Sequence, residues 1–167
     1  MKAVFPLHNI EKFTRSDSEN GMYVSLLSEH LKAHDCLSRA HKHDFYFVLL
    51  LTKGSVKHEI DFRTYDVKAG SACFMTPGQV HRVVDCKGGE GYVLFHSRDY
   101  YEVGFNHRSL RDYPFYFCSH NVPFVHLEKE KPAETESWFR ELMREFNTDE
   151  PGRYQKSCSL IELIYIH

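Results

Sequence analysis

The stretch His41-Lys42-His43-Asp44-Phe45-Tyr46-Phe47-Val48-Leu49-Leu50-Leu51 decides how this chain is read, together with Val56-Lys57-His58-Glu59-Ile60-Asp61-Phe62-Arg63 and Pro77-Gly78-Gln79-Val80-His81. Phe45 to Leu51 is an unbroken apolar run of strand length, the pattern of a strand buried on both faces. From Val56 onward the chain alternates: Val56, His58, Ile60 and Phe62 fall on one side, Lys57, Glu59, Asp61 and Arg63 on the other, as in a half-buried strand. By the same alternation His41, His43, Phe45 and Phe47 share a face. His81 follows a Pro-Gly turn at the start of the next apolar run. Three imidazoles so spaced can converge in a small β-barrel.

Further short apolar runs follow at Tyr65–Val67, Ala72–Met75, His81–Val84, Tyr92–Phe95, Phe115–Phe117 and Phe124–Leu127. Turn signals separate most of them: Lys53-Gly54-Ser55, Lys68-Ala69-Gly70 and Lys87-Gly88-Gly89-Glu90-Gly91. Many short strands at this spacing predict an antiparallel barrel or sandwich over residues 1–128, whose edges are hidden by closure. Upstream, Ser16-Asp17-Ser18-Glu19-Asn20-Gly21 reads as a loop, and Met22–Leu31 fits a strand or a short helix equally well.

The character changes over residues 129–167. A helix from Pro132 carries Trp138, Phe139, Leu142, Met143 and Phe146 on one apolar stripe, and Asp149-Glu150-Pro151-Gly152 ends it. A second helix from about Arg153 carries Ile161 and Ile164 and runs into Ile164-Tyr165-Ile166-His167 with no capping signal. The stripe packs by default within the chain, yet two successive apolar helices offer more surface than one barrel face needs. Trp138, Phe139, Leu142, Met143, Phe146, Ile161 and Ile164 are therefore also the candidate contacts of a homodimer. The abrupt apolar end further suggests a piece of a longer protein.

Composition sets the bounds. The 167 residues suit one domain with a core, and a formal charge of -2 from 21 basic and 23 acidic side chains leaves no electrostatic footprint for nucleic acid. Thirteen Phe and ten Tyr favour β structure. The five cysteines (Cys36, Cys73, Cys86, Cys118, Cys158) are scattered without a Cys-x-x-Cys, which argues against a disulfide framework or a thiolate zinc site and for reduced thiols in a cytoplasmic protein. No apolar run approaches the roughly 20 residues of a membrane helix, and no signal peptide is evident at the N-terminus.

A His-x-His opening an apolar strand, Gly54 at its far end, Gly70 before the next motif and Pro77-Gly78-x-x-His81 resemble the two cupin motifs. The finer pattern resembles the N-terminal sensor domain of AraC-type transcriptional regulators: His41-Lys42-His43-Asp44-Phe45-Tyr46, Thr52-Lys53-Gly54-Ser55, Ile60-Asp61-Phe62, Pro77-Gly78-Gln79-Val80-His81 and Gly91-Tyr92-Val93-Leu94-Phe95. This resemblance implies a mainly-β, jelly-roll cupin barrel followed by a C-terminal pair of helices. It also implies a cavity for a small-molecule effector such as a sugar, helices that support dimerisation, and a helix-turn-helix domain, absent here, that binds DNA in the full-length protein. By itself this segment is expected to bind neither nucleic acid nor membrane.

The site residues follow from both readings. His41, His43, Phe45, Phe47, His58 and His81 are the candidate cavity residues, an apolar floor with a few polar groups. Metal-dependent cupins place a Glu a few residues beyond the His-x-His, and the matching inward position here is Phe47, so a two-His-one-carboxylate set cannot form from this strand. No cofactor is expected, though His41, His43 and His81 leave open a three-His site for a divalent metal, zinc or nickel. The competing function is a stand-alone metal-dependent cupin enzyme, a dioxygenase or isomerase, built on those three imidazoles.

Overall fold

The computed structural model describes residues 5–14, 21–34, 39–104, 109–117 and 122–167. In chain order its strands and helices are β1 (Leu7–His8), β2 (Met22–Leu26), α1 (Leu27–Ala33), β3 (Lys42–His43), β4 (Tyr46–Ile60), β5 (Arg63–Lys68), β6 (Ser71–Met75), β7 (His81–His96), α2 (Arg98–Gly104), α3 (Pro114–Phe117), β8 (Phe124–His126), α4 (Lys131–Phe146) and α5 (Arg153–Ile166). The result is a mainly-β, cupin-like fold followed by C-terminal helices.

Two long strands organise everything else. β4 and β7 pair antiparallel from Tyr46↔His96 to Ile60↔His81. On its other edge β4 pairs first with β6 and then with β5, and β2 and β8 extend the sheet beyond β7 and β6. A strand of 15 residues cannot serve two flanks while flat, and it bends where its register with β7 shifts, between Leu51 and Ser55.

This corrects two predicted turns. Lys53-Gly54-Ser55 and Lys87-Gly88-Gly89-Glu90-Gly91 lie inside β4 and β7, and both strands run through them. The glycines are there for close approach: a Cβ on Gly54, at φ +67°, would come 2.2 Å from the Gly88 carbonyl oxygen, and one on Gly91 would come 2.0 Å from that of Leu50. The runs His81–Val84 and Tyr92–Phe95 therefore belong to one strand.

Other differences are local. Phe62, expected on the inward face, is 71% exposed. With Asp61 it forms the two-residue loop between β4 and β5, both residues at positive φ. Asp61 is held there by hydrogen bonds from Val80 N (3.0 Å) and Gln79 Nε2 (2.7 Å). Phe115–Phe117 is helical rather than extended. Met22–Leu31 contains both alternatives, β2 running directly into α1. The loop expected at residues 16–21 lies outside the described residues except for Gly21.

The apolar run of β4 is buried on both faces, as read. Phe47 and Leu49 look toward α1, whereas Tyr46, Val48 and Leu50 look toward the helical side. There α4 and α5 cover the sheet, with Phe139 against Tyr92. Phe139, Leu142, Phe146, Ile161 and Ile164 are buried within the chain itself. The stripe assigned to a subunit contact is thus mostly internal packing, each such side chain contributing about 1.5–3 kcal/mol by leaving water. Trp138 and Met143 stay half-buried, while Leu163 and Ile166 are exposed. Cys73 and Cys158 are buried and Cys86 half-buried, all three free, and Cys36 and Cys118 lie outside the described residues. Among the described residues no helix is long and apolar enough to cross a membrane.

Candidate functional site

The imidazoles converge because strand ends converge. β3 ends at His43, and His41 forms an antiparallel bridge with His81, through His41 N to His81 O (3.0 Å) and His81 N to His41 O (2.9 Å). His58, near the far end of β4, stands across from Val83, two residues beyond His81 on the same face of β7. The His81 ring centroid lies 4.2 Å from His41, 4.3 Å from His43 and 5.1 Å from His58. All four rings are buried.

Hydrogen bonds fix part of their protonation. The Arg39 carbonyl accepts from His41 Nδ1 at 2.8 Å, so the proton of a neutral His41 sits on Nδ1 and its Nε2 carries a lone pair. His58 Nε2 lies 2.8 Å from His81 Nδ1, and His81 Nε2 is hydrogen-bonded to His43 Nε2. Three buried atoms of the cluster then have no partner: His41 Nε2, His43 Nδ1 and His58 Nδ1. Buried polar groups are nearly always satisfied, so these nitrogens are open to a partner that the protein itself does not supply, a water or a ligand.

The cluster is neutral at physiological pH. Burial, reinforced by the neighbouring imidazoles, holds His43 down at about 3 and His58 at about 4. His81 is pushed well below the ordinary histidine value and His41 is also lowered, again chiefly by burial. A neutral imidazole is the form that ligates a metal.

His41, His43 and His81 are the group among the described residues that can hold a metal ion, each offering a nitrogen within 4.8 Å of the others. Around tetrahedral zinc, nitrogens at about 2.0–2.1 Å from the ion stand roughly 3.4 Å apart, so small ring rotations would close the set. A carbonyl at Arg39 and an imidazole at His58 back two of the three. The residues present therefore fit such an ion, with no carboxylate in the set. Phe47 occupies the place where an acid would stand, its ring 5.7 Å from His81.

Beside this cluster lies a small cavity between α1 and the sheet, lined by Leu27, His30, Leu31, Phe47, Leu49, Val56, His58, His81, Val83 and Val93. Its free volume is about 20 Å³, room for about one water. Of the predicted cavity residues, Phe47, His58 and His81 line it. His41, His43 and Phe45 stand next to it, with the His43 ring stacked 4.5 Å above Phe45.

Sequence reasoning left α1 open as one of two alternatives and missed as a cavity residue its His30, which is buried, hydrogen-bonded to Tyr23 (3.0 Å) and pushed down to about 3 by burial. The signal was present: Leu27, His30 and Leu31 stand at i, i+3 and i+4, one face of a helix. It also missed Phe13 and Phe95, which pack edge-on 5.2 Å apart beside Phe45.

A bent two-strand frame, glycines at its bends and an imidazole cluster beside a cavity on one face are the features of a cupin-like fold. Residues 22–164 match the family model of the AraC-like ligand binding domain, and the chain belongs to that family. Solved structures similar to it include the AraC-like transcriptional activator CuxR, at 11% identity and TM-score 0.48 over 87% of this chain and 49% of that one. Apo ToxT from Vibrio cholerae is similar at 10% identity and TM-score 0.49, over 90% of this chain and 55% of that one. The chain thus spans about half the length of these two regulators. No curated protein matches it.

Proposed function

We propose that this chain is the effector-sensing domain of an AraC-type transcriptional regulator, with its binding site between α1 and the imidazole-bearing face of the sheet. The observation that carries the reading is a cavity at the expected cupin face lined by three buried imidazoles, one of which, His58, has a nitrogen without a protein partner, in a chain of the ligand-binding family. Seven of the ten lining residues are apolar and the other three are neutral histidines. A sugar would bring several hydroxyls to a wall with few partners for them, each unpaired group costing about 1–3 kcal/mol. The effector proposed here is accordingly small and largely apolar with a single polar group. Because the free volume is small, it must displace α1, a seven-residue helix with no side-chain N-cap.

Binding that favours one placement of α1 would shift how the domain presents its partner surfaces, which is how an effector can control DNA binding by a helix-turn-helix domain elsewhere in the full-length protein. The proposed homodimer would use the half-buried Trp138 and Met143 with the exposed Leu163 and Ile166, since the rest of the predicted stripe is covered.

A thermal-shift screen of small apolar acids, ketones and aromatics, with sugars as the contrast set, tests the site. A ligand at a hundredfold excess over its Kd should stabilise the chain by about 2.7 kcal/mol, and Val83→Phe, which fills the cavity, should remove that gain. A hit whose effect survives Val83→Phe would place the site elsewhere.

The enzyme alternative draws on the three-His group. It requires a proton-transferring group beside the ion that is not itself a ligand, and the metal-capable set contains no carboxylate. Turnover of a small-molecule substrate that disappears in His81→Ala would favour it over the sensor.

A further inference from the structure

We propose that His58 is the positioning residue of a metal site formed by His41, His43 and His81, holding the His81 proton on Nδ1 by accepting its hydrogen bond at Nε2. The proposal rests on the reading that the three imidazoles hold a divalent ion of the zinc class. A ligating histidine needs a lone pair on the nitrogen facing the ion and a proton on the other, and the partner of that other nitrogen fixes the arrangement. For His41 the partner is the Arg39 carbonyl, which can only accept. For His81 the partner of Nδ1 is His58 Nε2, at 2.8 Å.

His58, unlike a carbonyl, can act either way. Without a metal, the row His58–His81–His43 is a chain of three neutral rings joined by two hydrogen bonds. Each ring has one N–H and one lone pair, so the row can be polarised in either direction. An ion drawing on the Nε2 lone pairs of His43 and His81 breaks their mutual hydrogen bond and moves the His81 proton to Nδ1. His58 Nε2 must then accept it, and the His58 proton is driven to Nδ1. That atom is buried and has no partner, on a ring that lines the cavity.

The test uses cobalt(II) as the probe on tag-free protein, following the visible absorption of the bound ion. The wild-type chain is expected to bind one equivalent. His58→Gln keeps an acceptor where Nε2 stood and should bind within about threefold of wild type. His58→Leu removes the acceptor and should bind roughly 10–100-fold more weakly. His58→Leu binding as tightly as wild type, or His58→Gln as weakly as His58→Leu, would overturn the role of His58 while leaving the metal site standing. No cobalt bound by wild type would overturn the metal reading and this inference with it, leaving the effector site untouched. Should His58→Leu fail to fold, histidine nitrogen NMR of zinc-loaded wild type gives the same answer. Both His81 and His58 should carry their proton on Nδ1, and an Nε2–H on either would contradict the proposal.

Discussion

The two faces of the central sheet are both rich in buried, titratable rings, and they treat those rings differently. On the helical face, Glu162 accepts hydrogen bonds from Tyr101 and from Tyr113 (2.6 Å). His96 Nδ1 donates to the Ser97 carbonyl (2.9 Å), which leaves its Nε2 to accept from Tyr165, whose hydroxyl lies 2.8 Å from that of Tyr116. None of these side chains is among the buried orphans. On the α1 face, three nitrogens of four imidazoles are orphans. A saturated network joins α2, α3 and α5 to the end of β7. An unsaturated one of similar burial leaves three nitrogens open to a partner from outside the chain.

Acid should produce the largest effect, and on both faces. His30 and His43 are held at about 3 by burial, and His58 and His96 at about 4. Their folded values lie below the unfolded value of about 6.5, so their stabilisation is complete above that pH and is lost as pH falls toward the folded values. Each costs up to about 1.4 kcal/mol per pH unit below 6.5. The melting temperature should therefore fall steeply from pH 7 to pH 5 in calorimetry. A flat profile would mean that the cluster is solvated.

Next in size, Phe139→Ala, at a fully buried site under the helices, should lose about 3–5 kcal/mol in denaturant unfolding without altering cobalt binding. Tyr165→Phe deprives His96 and Tyr116 of a buried partner and should cost about 1–3 kcal/mol, again with binding unchanged. His43→Phe sharpens the contrast. It removes one orphan nitrogen while leaving another, His81 Nε2, without its partner, can keep the stack on Phe45, and should change net stability at pH 7 by less than about 1 kcal/mol. It should also abolish cobalt binding and make the acid slope shallower. A large loss of stability in His43→Phe would erase the distinction between the faces.

How much of this was legible depended on the range of the interaction. Phe45–Leu51 announced a doubly buried strand because burial is written residue by residue, and the helices from Pro132 and Arg153 did so through their periodicity. The bends at Gly54 and Gly91 read as turns, because what demands glycine there is a carbonyl on another strand. The short helix Pro114–Phe117 was hidden by three β-favouring aromatics, although Pro114 as its first residue is itself a helix-start signal. His41, His43 and His81 could be brought together by alternation and a turn motif. The tyrosine network could not, since Tyr46, His96, Tyr101, Tyr113, Tyr116, Glu162 and Tyr165 share no local pattern.

On the function proposed above, the α1 face binds and the helical face only supports. The most direct test follows the imidazole resonances of the whole chain by NMR while the first small-molecule hit is titrated in. The account predicts that His30, His58 and His81 shift together and saturate with the ligand while His96 stays in place. A ligand that moves His96 and leaves His58 and His81 unmoved would contradict it.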